Sequence, residues 1–392
     1  MLILGASYYQ VDTIKTAKRL GYKTITTDNN PHNPGHALAD RSFNVDTTDK
    51  DGILSLAISN RIDGIISPAT DVAVPTAAFV AEKLVLAGPP VIATEIVCNK
   101  RQFRQFQTDR GLPTPKSITI SELDKIAEDD FSNQPWIIKP SISSGGKGVH
   151  ILKSKSDLYT HLQDAKSFSL NNQYLIEEYI DDFQGTAEGF MAEGVIDQFF
   201  VMDRQTVPPP YVTTSGHQIP SELPEQIVAV LRDQIKLIWE NLKVTGGAFD
   251  CDFVVRDSEV YILEITPRVG GNSISRLLKY AADFGIIERS LRYVCGAPVF
   301  DSTENKIQPH ALMIFGVESS GKLIYNETQA AELSSEKWVH HIEIDYPQGQ
   351  HVHRFENSRH RVGECIIYGR DRSEVKQRID EVRYRIDLRV EA

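Results

Sequence analysis

Asp250, Asp252, Glu264 and Arg268 are the residues whose types and spacing most suggest chemistry. They lie in VTGGAFDCDFVVRDSEVYILEITPRVGGN, residues 244–272, which reads as two strands joined by a tight turn at Asp257-Ser258-Glu259. Alternate residues of a strand share a face. Asp250, Asp252 and Val254 therefore share one side of the first strand, and Val260, Glu264, Thr266 and Arg268 one side of the second. With the turn centred on Ser258, Asp252 pairs directly with Glu264. Carboxylates opposed on neighbouring strands sit roughly 5 Å apart and repel. A cation between them relieves the repulsion. Hard oxygen ligands suit Mg²⁺ or Mn²⁺, and Mg²⁺ commonly accompanies phosphate. The hairpin is either a metal–nucleotide site or an edge hairpin with solvated acids, and the segment alone does not choose. Cys251 alternates to the opposite face, toward a core.

The segment IIKPSISSGGKGV, residues 137–149, places a Ser/Gly loop between two strands. Small residues at Ser143, Ser144, Gly145, Gly146 and Gly148 let backbone N–H groups approach phosphate oxygens. Lys139 adds a point charge. The GxxxxGK[ST] order is absent and a strand follows the glycines, so this is no Walker A loop. The same residues also read as a flexible hairpin connection. LIEEYI, residues 175–180, is a short strand ending in carboxylates. Such an end can offer backbone groups to an adenine edge, although many strands end this way. His217, read as a loop residue, could contact a substrate carboxylate; a merely solvated histidine is the plainer reading. His340, His341, His351 and His353 match no zinc spacing and read as surface or packing residues. No Ser-His-Asp set, nucleophilic cysteine arrangement or glutaminase segment is recognisable.

The elements that must position these residues fall into two kinds. Up to about residue 97, short apolar runs (Leu2–Leu4, Thr24–Thr27, Gly64–Ser67) alternate with helical patterns (Val11–Leu20, Lys50–Asn60, Val74–Leu84). This βαβ alternation predicts a parallel sheet covered by helices. Its first turn, Gly5-Ala6-Ser7, is not GxGxxG, so the domain is expected to be Rossmann-like without a nicotinamide cofactor. A new domain is expected near Cys98, starting with a helix over Asn99–Arg110. Strands follow at Trp136–Pro140, Val149–Lys153, Tyr174–Tyr179, Glu188–Val195 and Gln198–Arg204, and a helix over Ser156–Lys166. A long helix, Glu225–Leu242, leads into the acidic hairpin, and two helices follow it to about Gly296. The remainder mixes strands (Ala311–Gly316, Val339–Ile344, Glu364–Tyr368) with a last helix, Ser373–Arg385.

At 392 residues the chain can bury two or three cores. Its net charge of -11 argues against nucleic acid or an anionic membrane surface as a partner. No apolar run approaches the ~18 residues of a membrane span. MLILGASYYQ lacks a basic n-region and reads as a strand, not a signal peptide. The four scattered cysteines, with no CxxC, read as reduced thiols of a cytoplasmic protein. A homodimer is compatible with these features.

Taken in order, Lys100 on a helix, GLPTPKS, IIKPSISSGGKGV, YLIEEYI and DCDFVVRDSEVYILEITPRVGGNS resemble the ATP-grasp superfamily of carboxylate–amine and carboxylate–thiol ligases. The nearest likeness is to its carbamoyl-phosphate-synthase-like, biotin-carboxylase-like and amino-acid-ligase branch. TVPPPYVTTSGHQIPSEL, residues 206–223, is similar to the substrate-side stretch of amino-acid ligases. The resemblance implies an α/β chain in three parts. These are a Rossmann-like pre-ATP-grasp domain (1–97), an α+β ATP-grasp domain (98–300) with a lid at about 113–180, and a small C-terminal α+β subdomain (301–392). ATP and Mg²⁺ or Mn²⁺ would be the cofactors.

The resemblance also implies roles. Lys100 and Lys139 would hold the α- and β-phosphates, and the loop Ser143, Ser144, Gly145, Gly146, Lys147, Gly148 would close over the triphosphate. Glu177, Glu178, Tyr179 and Ile180 would form the adenine hinge, Glu177 through its backbone carbonyl. Asp252 and Glu264 would hold the metal, and Arg268 would stabilise the transferred phosphoryl group and the tetrahedral intermediate. His217, Arg268, Gly270 and Gly271 would face the substrate. Two positions depart from the pattern. Thr266 stands where the family has a metal-ligating Asn, and Gln184 replaces the ribose-binding Glu, with Asp182 as a substitute. The implied activity joins a small carboxylate to an amine through an acyl phosphate. The alternatives are a bicarbonate-phosphorylating carboxylase relative, and a degenerate domain that binds ATP without turnover.

Overall fold

The computed structural model describes residues 1–123, 125, 134–299 and 306–391. It is a mixed α/β protein with four sheets. The first sheet comprises β1 (Leu2–Leu4), β2 (Ile25–Thr27), β3 (Arg41–Phe43) and β4 (Ile65–Ile66), in the order β3-β2-β1-β4, with every pairing parallel. Helices Val11–Arg19 and Lys50–Asn60 connect these strands and Val74–Lys83 follows the last of them, as the βαβ pattern predicts. The apolar runs are fully buried, which is why they do not alternate. The sequence reading lacked β3, a short exposed edge strand with little apolar signal. Ala6 N donates to the Asp28 carboxylate at 2.9 Å, tying the end of β2 to the first turn.

A separate antiparallel sheet lies within the segment expected to form the lid. It comprises β5 (Ser117–Ile118), β6 (Trp136–Pro140), β7 (His150–Leu152) and β8 (Tyr174–Glu178), in the order β5-β8-β6-β7. The helix Lys155–Ser167 packs on it, and its N-cap is Ser154, whose hydroxyl accepts from Asp157 N. Residues 124 and 126–133 of the expected lid lie outside the described residues.

The largest sheet carries the acidic hairpin. Its strands are β9 (Phe183–Ala192), β10 (Val195–Thr206), β11 (Thr214–Ile219), β12 (Gly247–Arg256), β13 (Glu259–Thr266), β14 (His310–Phe315), β16 (Val339–Ile344) and β18 (Gly363–Tyr368). The order is β13-β12-β9-β10-β11-β14-β18-β16. Two corrections follow. β9 and β10 are longer than expected, and β11 contains His217, which is therefore a strand residue. The C-terminal segment also does not build a sheet wholly of its own. β14 pairs with β11, so one sheet crosses the boundary expected at 300/301, itself outside the described residues. A small sheet of β15 (Gly321–Ile324), β17 (His351–Val352) and β19 (Arg389–Glu391) completes the C-terminal part. We propose that the division at 97/98 stands and that β14, β16 and β18 extend the central sheet.

The long helix Glu225–Leu242 backs the hairpin. Leu231, Ile235, Ile238, Trp239 and Leu242 recur at helical spacing and are buried against Phe249, Cys251, Phe253, Val260, Ile262 and Ile265. Fully burying each such side chain contributes about 1.5–3 kcal/mol. This core fixes one face of the hairpin and leaves the other for the acids.

Candidate active site

Asp257 and Ser258 both have positive φ, +53° and +67°, so the hairpin turns on two residues. That register alone would pair Asp252 with Leu263. A bulge between Asp252 and Phe253 restores the Asp252–Glu264 pairing expected from a turn centred on Ser258. The bulge also corrects the assignment of faces. Val260 and Ile262 point into the core, whereas Leu263 and Glu264 both line the opposite cleft. On β12 the alternation holds, with Cys251 in the core and Asp250, Asp252 and Val254 on the cleft.

The cleft has a volume of about 880 Å³ and receives walls from the N-terminal sheet, the lid, the central sheet and the C-terminal turn near Ser358. On its acidic wall, Asp252 accepts from Thr186 Oγ1 at 2.6 Å and pairs with Arg204 at 3.3 Å. Glu264 pairs with Lys100 at 2.9 Å. Burial lowers the pKa of the Lys100 ammonium, but Glu264 and Asp71 outweigh it, so the pKa ends above its ordinary value. Lys139 meets Glu177, which also pairs with Arg104 at 2.9 Å. Burial raises the Glu177 carboxyl, yet Arg104 and Lys139 together hold it at about 2. Lys139 itself lies below its usual value, because burial, Arg104 and Lys100 outweigh Glu177. Both lysines are nearly enclosed, each on a carboxylate tether.

Arg268 sits in a second acidic cluster. Its Nη2 donates to Asp71 at 2.6 Å and its Nη1 to Asp250 at 2.6 Å. Asp250 is the cross-strand partner of Glu188, which is fully buried and accepts from Gly270 N at 2.7 Å. Burial and the neighbouring Asp250 push the Glu188 carboxyl well above its ordinary range. Burial lifts Asp250 to about 6; Arg268 opposes this, and Asp252 and Asp71 add to it. Burial and crowding against Asp250 thus set the Glu188 carboxyl against ionisation, while the Arg268 guanidinium bonds Asp71 and Asp250. Asp71 comes from the N-terminal part, 197 residues before Arg268. No local spacing could have revealed it, nor Arg104, Thr186, Arg204 or Glu188. Asp250 was visible beside Asp252.

His217 is 1 % exposed, and burial lowers its pKa to about 4, so the ring is neutral. Its Nε2 lies 3.3 Å from Thr186 Oγ1. Thr186 has one proton and donates it to Asp252, so its oxygen accepts from His217 Nε2–H. Nδ1 is therefore the bare lone pair, and it has no partner among the described residues.

Residues 97–272 match the family model for the ATP-grasp domain, and residues 324–391 match L-amino acid ligase C-terminal domain 2. The chain thus carries an ATP-grasp domain. Among curated relatives of this ATP-grasp protein is the formate-dependent phosphoribosylglycinamide formyltransferase of Rhodococcus jostii, 25% identical over 336 residues, 82% of this chain and 81% of the relative. The enzyme of that name from Methanocaldococcus jannaschii is 26% identical over 310 residues, 76% of each chain. Among solved structures, the L-amino acid ligase from Bacillus licheniformis superposes with a TM-score of 0.82 at 17% identity, covering 100% of this chain and 98% of that one. Phosphoribosylglycinamide synthetase from Anaerococcus prevotii gives 0.77 at 20% identity, covering 100% and 99%.

In this ATP-grasp protein, most residues singled out in the sequence meet in one place. Lys100, Lys139, Ser143, Ser144, Gly145, Gly146, Lys147, Glu177, Glu178, Tyr179, Ile180, Gln184, His217, Asp252, Glu264, Arg268 and Gly271 line the cleft. Four do not. Thr266 is 1 % exposed and lies off the cleft lining, its hydroxyl without a hydrogen-bond partner among the described residues. Gly270 turns its N–H to Glu188. The Asp182 carboxylate accepts from Phe183 N at 2.8 Å. Gly148 packs against Pro140 and Phe168 on the lid. No group of three or more His, Cys, Asp or Glu among the described residues could hold a metal by itself. Two carboxylates fit Mg²⁺, which binds through one or two protein acids and takes its remaining ligands from phosphate and water. No helix is long and apolar enough to cross a membrane.

Proposed function

We propose that this chain is an ATP-dependent carboxylate–amine ligase, and that one feature carries the reading. Across a single cleft, Asp252 and Glu264 face the lysines and glycine loop, with Arg268 held beside them by Asp71 and Asp250. Lys100, Lys139 and the loop's N–H groups bind and orient the triphosphate. The hinge Glu177–Ile180 takes the adenine, with Gln184 on the ribose side. The Glu177 side chain is committed to Arg104 and Lys139, so it holds Lys139 in place and leaves adenine recognition to the backbone. Asp252 and Glu264 would hold Mg²⁺, which when bound would neutralise phosphate charge.

The substrate carboxylate attacks the γ-phosphorus, forming a carboxylate O–P bond as the bond to the ADP oxygen breaks. The amine then attacks the acyl carbon. The C–N bond forms, the C–O bond to phosphate breaks, and the nitrogen loses a proton. Arg268 donates to the developing oxyanion. Closure of the glycine loop keeps water from the acyl phosphate.

The acyl donor is best read as an amino acid. The match to an L-amino acid ligase C-terminal domain supports this class. Arg361 lines the cleft but pairs with Asp345 and Glu364 at 2.8 Å each, which disfavours a phosphorylated amine at that residue. An ADP-release screen of amino acids, singly and in pairs, tests this. Pairs are expected to stimulate release well above single acids. Stimulation by formate with phosphoribosylglycinamide alone would overturn the amino-acid assignment.

A further inference from the structure

The glycine loop is held from outside its own subdomain. Gly145 has φ +72°, and Ser358 N donates to its carbonyl oxygen at 3.1 Å. A Cβ on Gly145 would collide with Ser358 Oγ, so only glycine permits this approach. Ser358 is held in turn by Tyr9, whose hydroxyl donates to its carbonyl at 3.0 Å. Gly146 lies near Thr213, whose hydroxyl donates to Glu356 O at 2.6 Å. The loop, the C-terminal turn and the N-terminal turn Tyr8–Gln10 therefore meet in one hydrogen-bonded chain at the cleft rim.

The same joint brings two cations together. Lys147 and Arg359 both line the cleft, and neither forms an ion pair among the described residues. Burial, and then Arg359, hold the Lys147 ammonium below its ordinary value. Closure therefore has an electrostatic cost that an anion in the cleft would remove.

We propose that Ser358 is a positioning residue whose backbone N–H latches the 143–148 loop shut, with Lys147 and Arg359 making that closure complete only over an anion such as a triphosphate. The identity of the anion rests on the ligase reading. The latch would keep water from the acyl phosphate, and Tyr9 would report closure to the N-terminal wall of the cleft.

The test is limited trypsin digestion, scored at the bond after Lys147, with and without Mg²⁺ and a non-hydrolysable ATP analogue. Ser358→Pro removes the N–H. Ser358 begins a short 3₁₀ turn after the extended Asn357, at φ -155° and ψ 171°, where proline is tolerated. Nucleotide is expected to slow cleavage of the natural chain at least about tenfold, and Ser358→Pro to lose about 3- to 10-fold of that protection, the range for one hydrogen bond. Ser358→Ala keeps the N–H and is expected to restore protection, and Tyr9→Phe to give an intermediate loss. Circular dichroism and the thermal midpoint check folding; if Ser358→Pro does not fold, Tyr9→Phe decides.

In a coupled assay, the proline variant is expected to release more ADP than it forms amide. Equal protection in the natural chain, Ser358→Pro and Tyr9→Phe, or an unchanged ADP-to-amide ratio, would overturn the latch. Absence of nucleotide protection in the natural chain would instead count against the nucleotide reading itself.

Discussion

Replacing Asp252 or Glu264 by alanine is expected to lower Mg²⁺-dependent ADP formation by about 10³-fold while the protein stays folded, consistent with loss of about 4 kcal/mol of charge stabilisation. The two side chains are 29% and 28% exposed, so their removal opens no deep cavity. Each variant leaves the other acid paired with its own cation, Glu264 with Lys100 or Asp252 with Arg204. The structural cost is thus small beside the loss of a metal ligand. Steady-state ADP release together with the thermal midpoint separates the two effects. The amide variants Asp252→Asn and Glu264→Gln should lose nearly as much, because a neutral carbonyl keeps the shape without the charge. A fall of less than tenfold in both positions would remove the acidic pair from the metal site.

Arg268→Met is expected to abolish amide formation and also to destabilise the fold, by about 3–5 kcal/mol, the range for breaking a buried charge pair from one side. The guanidinium is 10% exposed and holds Asp71 and Asp250 from different parts of the chain. Without it, Asp71 loses the charge that holds its carboxyl below the ordinary range against burial. Asp250 is already lifted to about 6 by burial and loses its opposing charge. The pH dependence has a definite sign. A carboxyl whose folded pKa is raised binds more protons folded than unfolded, so its contribution is present below the unfolded value near 4 and lost as pH rises through the folded value. The deficit of Arg268→Met should therefore be small near pH 4 and grow through pH 6 and above. Denaturant titrations at several pH values measure it. A deficit independent of pH would place the cost in packing instead.

The sequence was legible where local periodicity decides structure. Asp252 opposite Glu264, Cys251 in the core, the βαβ start and the long helix behind the hairpin all follow from alternation or helical spacing. The Asp252–Glu264 pairing nevertheless arises from a two-residue turn plus a bulge, and the bulge moves Val260 off the face that carries Glu264. Strand parity does not encode a bulge. Thr266 and Gly270 fit a motif in one dimension, yet Thr266 is buried away from the cleft and the Gly270 N–H is taken by Glu188 from another strand. His217 looked like a loop residue because Ser-Gly-His has weak strand propensity, but β10 and β14 impose the strand from both sides. The C-terminal strands extend the central sheet for the same reason: strand order is set by pairing between distant segments.

The central claim is that a carboxylate takes the γ-phosphoryl group before the amine attacks. The most direct measurement uses the acyl donor identified by the ADP-release screen, carrying ¹⁸O in its carboxylate. An acyl phosphate intermediate transfers one carboxylate oxygen to the departing phosphate, so one ¹⁸O should appear in inorganic phosphate for each amide formed. Phosphate without the label, released at the rate of amide formation, would contradict the mechanism.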